Sequence, residues 1–400
     1  MSISLGACDP GCAPADPAQY FVPLHESTMK GKARFRSEGE GEWIGFRESA
    51  AGNDVRDLQQ FLKKAGFMPF GKLDGIFGYR TTASLRLFQE YVRSIEGDAS
   101  IGAADGVLGP RTTEHLRRWR TGAVQANWER SSSESPTPEY SQWLRLLDRV
   151  REHYLRKPTP LLEQVNEFAG ASDTLEVADW NFDPRRIHLV GVRCGEAAPG
   201  PRVNDDVFVL LVNGITFKFF GTTDPGKTSH DGGAPFLTPG QHRYRFGWHK
   251  ISDMKRVYRA LKPARHGVLV VRDGNRDEAL TDVDLAGRLE ANHSINVHWG
   301  GRGVSNWSEG CQVICGKGYI SHENEPVDCS KFAALRYAEL GTRVNGVYMT
   351  KGAYSVLVDL VTAFSSDVHA ADYTLLYEQD LELEPDIGRA AARDILAKIS

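Results

Sequence analysis

One short phrase occurs twice in this chain and limits the folds open to it. Asp74-Gly75-Ile76-Phe77-Gly78-Tyr79-Arg80-Thr81-Thr82 returns as Asp105-Gly106-Val107-Leu108-Gly109-Pro110-Arg111-Thr112-Thr113. Such a repeat marks one small structural unit used twice. Asp-Gly makes a tight turn, the next apolar pair plugs a core, and Gly permits a positive φ. A threonine can then cap the helix that follows. Helical spacing flanks both loops. Val55, Leu58, Phe61 and Leu62 share a face of a helix that Asn53 or Asp54 can cap. Leu85, Phe88 and Gln89, then Leu116 and Trp119, follow the two loops. The pattern predicts three short helices joined by two glycine loops.

Leu58-Gln59, Asp74-Gly75-x-x-Gly78, Phe88-Gln89 and the second loop stand in an order that resembles the peptidoglycan-binding domain type 1 of cell-wall enzymes. The resemblance covers residues 52–122. It implies a wall-targeting module with peptidoglycan as its partner, although most motif residues define the fold rather than a ligand contact.

The remaining chain divides by composition. Residues 1–51 are rich in Gly, Pro and Ser and read as an N-terminal arm. Residues 123–180 read as a linker centred on Ser131–Pro138, then helices at 141–157 and 161–169. Residues 181–400 change to a period of two. Val207–Val212 and Ile215–Phe220 flank Asn213-Gly214, a strong hairpin signal. Gly267–Val271 and Ile295–His298 read as further strands. The C-terminal extension reads as a helix near 330–340, a strand at Tyr373–Tyr377 and a terminal helix capped near Asp386.

Charge and cysteine content exclude several classes. The 48 Lys+Arg against 52 Asp+Glu leave a net charge of -4, without the basic excess of a general nucleic-acid binder. No apolar run approaches the roughly 18 residues of a membrane span, so no membrane insertion is expected. The first basic residue is Lys30, so no Sec pattern is visible. The expectation is synthesis in the cytoplasm and action in the periplasm or cell wall, of a target cell or at lysis. Six cysteines are too few for a disulfide scaffold, and the pairs 8/12 and 311/315 lack zinc-ribbon spacing.

The chemistry gathers in Ile295-Asn296-Val297-His298-Trp299-Gly300-Gly301 and Ser305-Asn306-Trp307-Ser308-Glu309-Gly310-Cys311-Gln312-Val313-Ile314. A glycine-rich polar loop between His298 and Cys311 can fold back and bring imidazole to sulfur. An adjacent histidine lowers a thiol pKa and supplies a thiolate nucleophile. Gly310 admits close backbone approach, and the Gly310 and Cys311 amides can face a developing oxyanion.

This segment resembles the L,D-transpeptidase catalytic domain, in a branch associated with phages and effectors. Ser308-x-Gly310-Cys311 matches the nucleophile motif, and His298 stands at the histidine position. Leu211-Val212-Asn213-Gly214 and Leu237-Thr238-Pro239-Gly240 resemble its opening hairpin and Thr-Pro loop. The resemblance implies Cys311 as nucleophile, His298 as base and then acid, and the backbone carbonyl of Trp299 as orienter. It implies attack on a stem-peptide carbonyl at an L-centre–D-Ala bond, by hydrolysis or transpeptidation, without a cofactor. Ser308, Glu309, Arg302 and Asn306 are expected to meet substrate, and Gln312 or Asn306 are alternative orienters.

Two positions depart from the family: Glu309 replaces a second histidine, and Val313 replaces an arginine. Arg302, Arg272 or His249 can stand in for that arginine. Cys315 is expected to be structural.

The expected fold class is multidomain α+β: a small three-helix peptidoglycan-binding domain plus a β-rich L,D-transpeptidase-like domain with helical additions. Peptidoglycan is the expected partner, with a secretion apparatus or an immunity protein as further candidates. The alternatives are a zinc peptidase using His242, His249, His293, His298 and Asp231, and a non-enzymatic wall-binding or phage structural protein.

Overall fold

The computed structural model describes residues 2–15, 46–48, 52–195, 204–226, 232–249, 258–277, 280–285, 287–302, 308–334, 343–344, 347–348, 351–366 and 370–399. The expected helices form as α1 (Asp54–Lys64), α2 (Tyr79–Ser94) and α3 (Pro110–Gly122). The repeat explains itself in hydrogen bonds. Gln59 Nε2 donates to Asp74 Oδ1, Ile76 O and Thr81 Oγ1, and Gly75 N donates back to Gln59 Oε1. Gln89 does the same with Asp105, Val107, Thr112 and Gly106. Each glutamine thus satisfies a buried loop backbone from the preceding helix.

The threonines do not act as N-caps. Thr82 and Thr113 donate to the carbonyls of Gly78 and Gly109, while Thr81 and Thr112 face the glutamines. Asn53 makes no side-chain cap either. Asp9 takes that role across the chain, accepting from Val55 N at 2.8 Å and Arg56 N at 2.9 Å. Ile3 and Cys8 bridge to Leu108 and Ile76. The described beginning of the expected arm is therefore part of the helical module; residues 16–45 lie outside the described residues.

Residues 123–137 also differ from a free linker. Trp128 is 4 % exposed and packs against Phe217, His322 and Phe364. Thr137 N donates to Gly214 O, and a Cβ at Gly214 would stand 2.2 Å from Ser132 O. The Asn213-Gly214 turn, with φ of 46° and 80°, serves both as a hairpin and as a seat for this crossing segment. Helices α4 (Pro138–Arg156) and α5 (Pro160–Phe168) follow.

The β domain is built on β1 (His188–Arg193), β2 (Asp206–Val212), β3 (Ile215–Thr222), β4 (Gly240–His249), β5 (Tyr258–Pro263), β6 (Val297–Trp299), β7 (Gln312–Ile320) and β8 (Ala371–Tyr377). These eight pair in the order β6-β7-β3-β2-β1-β8-β4-β5, and β5 returns to β6 to close a barrel. β6/β7 and β1/β8 are parallel. Strand β2 is buried along its whole length, as Asp-Val-Phe-Val-Leu-Leu-Val implies. Its alternate residues feed two cores. Phe208, Leu210 and Val212 join a core shared with the helical module and with α6 (Ala353–Phe364). Val207, Val209 and Leu211 join another with α4, α5 and α7 (Ala390–Ile399).

Helix α6 is the main element beyond the sequence expectation. The helix expected near 330–340 falls largely on residues outside those described. α6 packs on α2, which is buried at every residue from Thr81 to Val92. Arg86 meets Asp359 across this contact at 2.8 Å. Tyr79 lies near Trp248, and Arg259 lies 4.8 Å from the Tyr79 ring centroid. The helical module is thus joined to the barrel through a common core. No helix among the described residues is long and apolar enough to cross a membrane.

Candidate active site

Strands β6 and β7 run parallel with Val297 opposite Gln312 and His298 opposite Val313. Gln312 N donates to Asn296 O, which continues the register back to Asn296 and Cys311. Residues in register on parallel strands point the same way, and the side alternates along each strand. Asn296, His298 and Cys311 therefore share one face.

Cys311 is half-buried at the entrance to β7. Its thiol donates to Ser294 O at 3.2 Å, and Asn296 N donates to its sulfur at 3.4 Å. Gly310, just before it, has φ 118°, and a Cβ there would lie 2.5 Å from Pro235 O. This turn admits glycine for conformation and for space.

His298 Nδ1 lies 2.8 Å from Trp299 O. A carbonyl only accepts, so Nδ1 carries the proton and Nε2 is the basic nitrogen of the neutral ring. Tyr258 Oη reaches both His298 Nδ1 at 3.2 Å and Trp299 O at 3.3 Å. His249 stacks on His298 with centroids 4.2 Å apart and planes at 25°. His249 Nδ1 also meets Asn296 Nδ2 at 3.0 Å.

The strands behind this face are pinned. Tyr354 Oη donates to Val297 O at 3.2 Å, and Tyr244 Oη to Ile295 O at 3.0 Å. Tyr373 Oη donates to Gln312 Oε1 at 2.8 Å, while Gln312 Nε2 reaches Thr223 O at 3.1 Å. Gln312 is fully buried and fixes the nucleophile's strand rather than orienting His298.

The other expected residues scatter. Ser308 is buried, and its hydroxyl donates to Cys311 O at 3.0 Å, so it staples the turn instead of facing substrate. Glu309 is exposed. Arg302 donates to Ser330 O at 3.0 Å, and Arg272 pairs with Glu290. Neither guanidinium has its described contacts at the cysteine. Asn306 lies outside the described residues. Cys315 is buried, which pushes its thiol up to about 11, an inert position. Tyr258 and Asn296 went unread in the sequence; alternation about His298 could have signalled Asn296, but nothing local signals Tyr258.

The zinc alternative finds no common centre among the described residues. His242 is fully buried between Thr174 and Thr238, His293 is exposed, and Asp231 lies outside the described residues. Among those residues, Asp273, Asp277 and Asp284 do bring one oxygen each within 4.8 Å of one another. These oxygens suit a hard divalent cation. They take no part in the cysteine–histidine geometry.

The fold and site define a mixed α+β protein in which a small helical module is joined to a barrel bearing a cysteine–histidine pair. Residues 51–93 match the family model of a peptidoglycan binding domain. No curated protein and no solved structure matches the chain. The matched part covers α1 and most of α2; the second glycine loop and α3 repeat its hydrogen-bond plan beyond it.

Proposed function

We propose that this chain is a peptidoglycan-targeted cysteine enzyme with an L,D-transpeptidase-like β domain. It acts on stem peptides as a carboxypeptidase, endopeptidase or transpeptidase. The observation that carries this reading is the placement of Cys311 and His298 on one face of adjacent parallel strands, with His298 Nδ1 held by Trp299 O. The peptidoglycan-binding domain supports peptidoglycan as the partner.

The reaction follows from the groups present. His298 Nε2 takes the Cys311 proton, and the thiolate attacks a stem-peptide carbonyl. The C–N bond breaks, the leaving amine takes the proton from His298, and a thioester remains. Water or an acceptor amine then loses a proton to His298 and attacks the thioester. The C–S bond breaks and the proton returns to sulfur. Exposed Glu309 suits a cationic substrate group, such as the amine of a stem diamino acid. Delivery as a phage lysin or a secreted antibacterial effector would bring this chemistry to the wall of a target cell or into play at lysis.

The test is mass analysis of muropeptides from purified sacculi. The native chain releases or joins stem peptides, and Cys311→Ala gives none of these products while still co-sedimenting with sacculi. Equal products from Cys311→Ala would end the cysteine mechanism. Binding without any product from the native chain would leave a wall-binding protein.

A further inference from the structure

Docking of the helical module on the barrel limits the surface it can offer to a ligand. Helix α2 is buried from Thr81 to Val92, and the N-terminal segment lies along both glycine loops through Ile3 and Cys8. The facing ends of α1 and α3 hold a cavity of about 560 Å³. Its floor is Phe61 and Trp119, and its rim carries Asp57, Lys64, Arg120 and Val124.

The rim carries charged side chains of both signs. Arg120 donates to the Asp57 backbone carbonyl at 3.1 Å and lies 5.5 Å from the Phe61 ring centroid. Neither Arg120 nor Lys64 has a carboxylate partner among the described residues. Asp57 lacks a cationic partner there too. Val124 is 39 % exposed, a branched apolar side chain that lines the same groove as the two cations. The groove therefore offers two cations, one anion and a small apolar patch. Phe61 and Trp119 are 6 % and 1 % exposed, so they form a floor rather than sugar-stacking platforms.

We propose that the α1/α3 groove binds the stem peptide of peptidoglycan, with free carboxylates on Lys64 and Arg120, a free amine toward Asp57 and alanine methyls against Val124. This rests on the peptidoglycan-targeting reading and adds its site and ligand chemistry. Peptide, not glycan, is the recognised part.

The experiment uses the full chain carrying Cys311→Ala, so that nothing is turned over. Co-sedimentation is measured with intact sacculi and with glycan strands stripped of peptide by an amidase. Lys64→Glu/Arg120→Glu should weaken sacculus binding at least tenfold, and Arg120→Gln alone at least threefold. Arg117→Glu, an exposed change on the same helix outside the groove, should change it less than twofold. Thermal unfolding checks that each variant is folded. Peptide-free glycan should bind at least tenfold more weakly than sacculi. Undiminished binding by folded groove variants, or equal binding to bare glycan, overturns the groove assignment and leaves targeting intact. Failure of the parent chain to bind sacculi overturns targeting and the groove together.

Discussion

Removing the carboxylate of Asp359 tests whether charge as well as packing locks α2 to the barrel. Arg86 Nε lies 2.8 Å from Asp359 Oδ2, with side-chain exposures of 5 % and 8 %. Buried Arg259 also feels the Asp359 charge. Asp359 thus pairs directly with Arg86 and adds a longer-range attraction for Arg259. Asp359→Ala leaves both desolvated without it, which costs about 3–5 kcal/mol for a pair broken from one side. Burial already pushes the Asp359 carboxyl up to about 6 despite both arginines. Desolvation therefore outweighs attraction, and removing both charges should cost far less than removing one. Arg86→Met/Asp359→Ala should recover at least about 2 kcal/mol relative to the sum of the single changes. The assay is guanidinium unfolding of the full chain at neutral pH, followed by tryptophan fluorescence, in a double-mutant cycle. An Asp359→Ala cost below about 1 kcal/mol, or strict additivity in the cycle, would refute the reasoning.

Two further outcomes follow from buried or tightly held rings. Burial pushes His242 from its ordinary 6.5 down to about 3, while the unfolded chain takes up a proton below 6.5. Its contribution is complete above that value and is lost toward pH 3, at about 1.4 kcal/mol per unit. His242→Gln should flatten the measured stability slope between pH 6 and 4 by about that amount, and an unchanged slope would count against it. Tyr258→Phe removes the hydroxyl shared by His298 Nδ1 and Trp299 O. It should slow Cys311 alkylation by iodoacetamide about threefold near neutral pH and shift its pH profile, since a fixed imidazole orientation is lost; an identical profile would remove Tyr258 from the site.

What could be read in the sequence was local in origin. The Asp-Gly loops, Asn213-Gly214 and the apolar runs that flank it at Val207–Val212 and Ile215–Phe220 carry their geometry in adjacent residues. The elements found there, α1 to α3, β2 and β3, match those readings to within a few residues. Cys311 and His298 could be read as neighbours because the loop between them is short and rich in glycine, and adjacent parallel strands do bring them to one face. Partners set by long-range folding were not. Asp9 caps α1 from 46 residues away. Trp128 looked like part of a linker because the surface receiving it, around Phe217 and Phe364, is assembled from distant strands and helices. Ser308 was expected to touch substrate, but a hydroxyl beside a tight turn satisfies that turn first.

The shared core between α2 and α6 turns a two-part chain into a rigid caliper. A catalyst on a slack tether reaches any bond within the radius of its leash, and its products record only how often each bond is met. Here, on the proposed reading, one jaw is the α1/α3 groove and the other is Cys311, and neither can swing past Arg86 and Asp359. Such an instrument selects by spacing. On that same reading it would work on a stem peptide lying at one set distance from the one it grips, and an intact mesh would be a better substrate than the same peptides in solution.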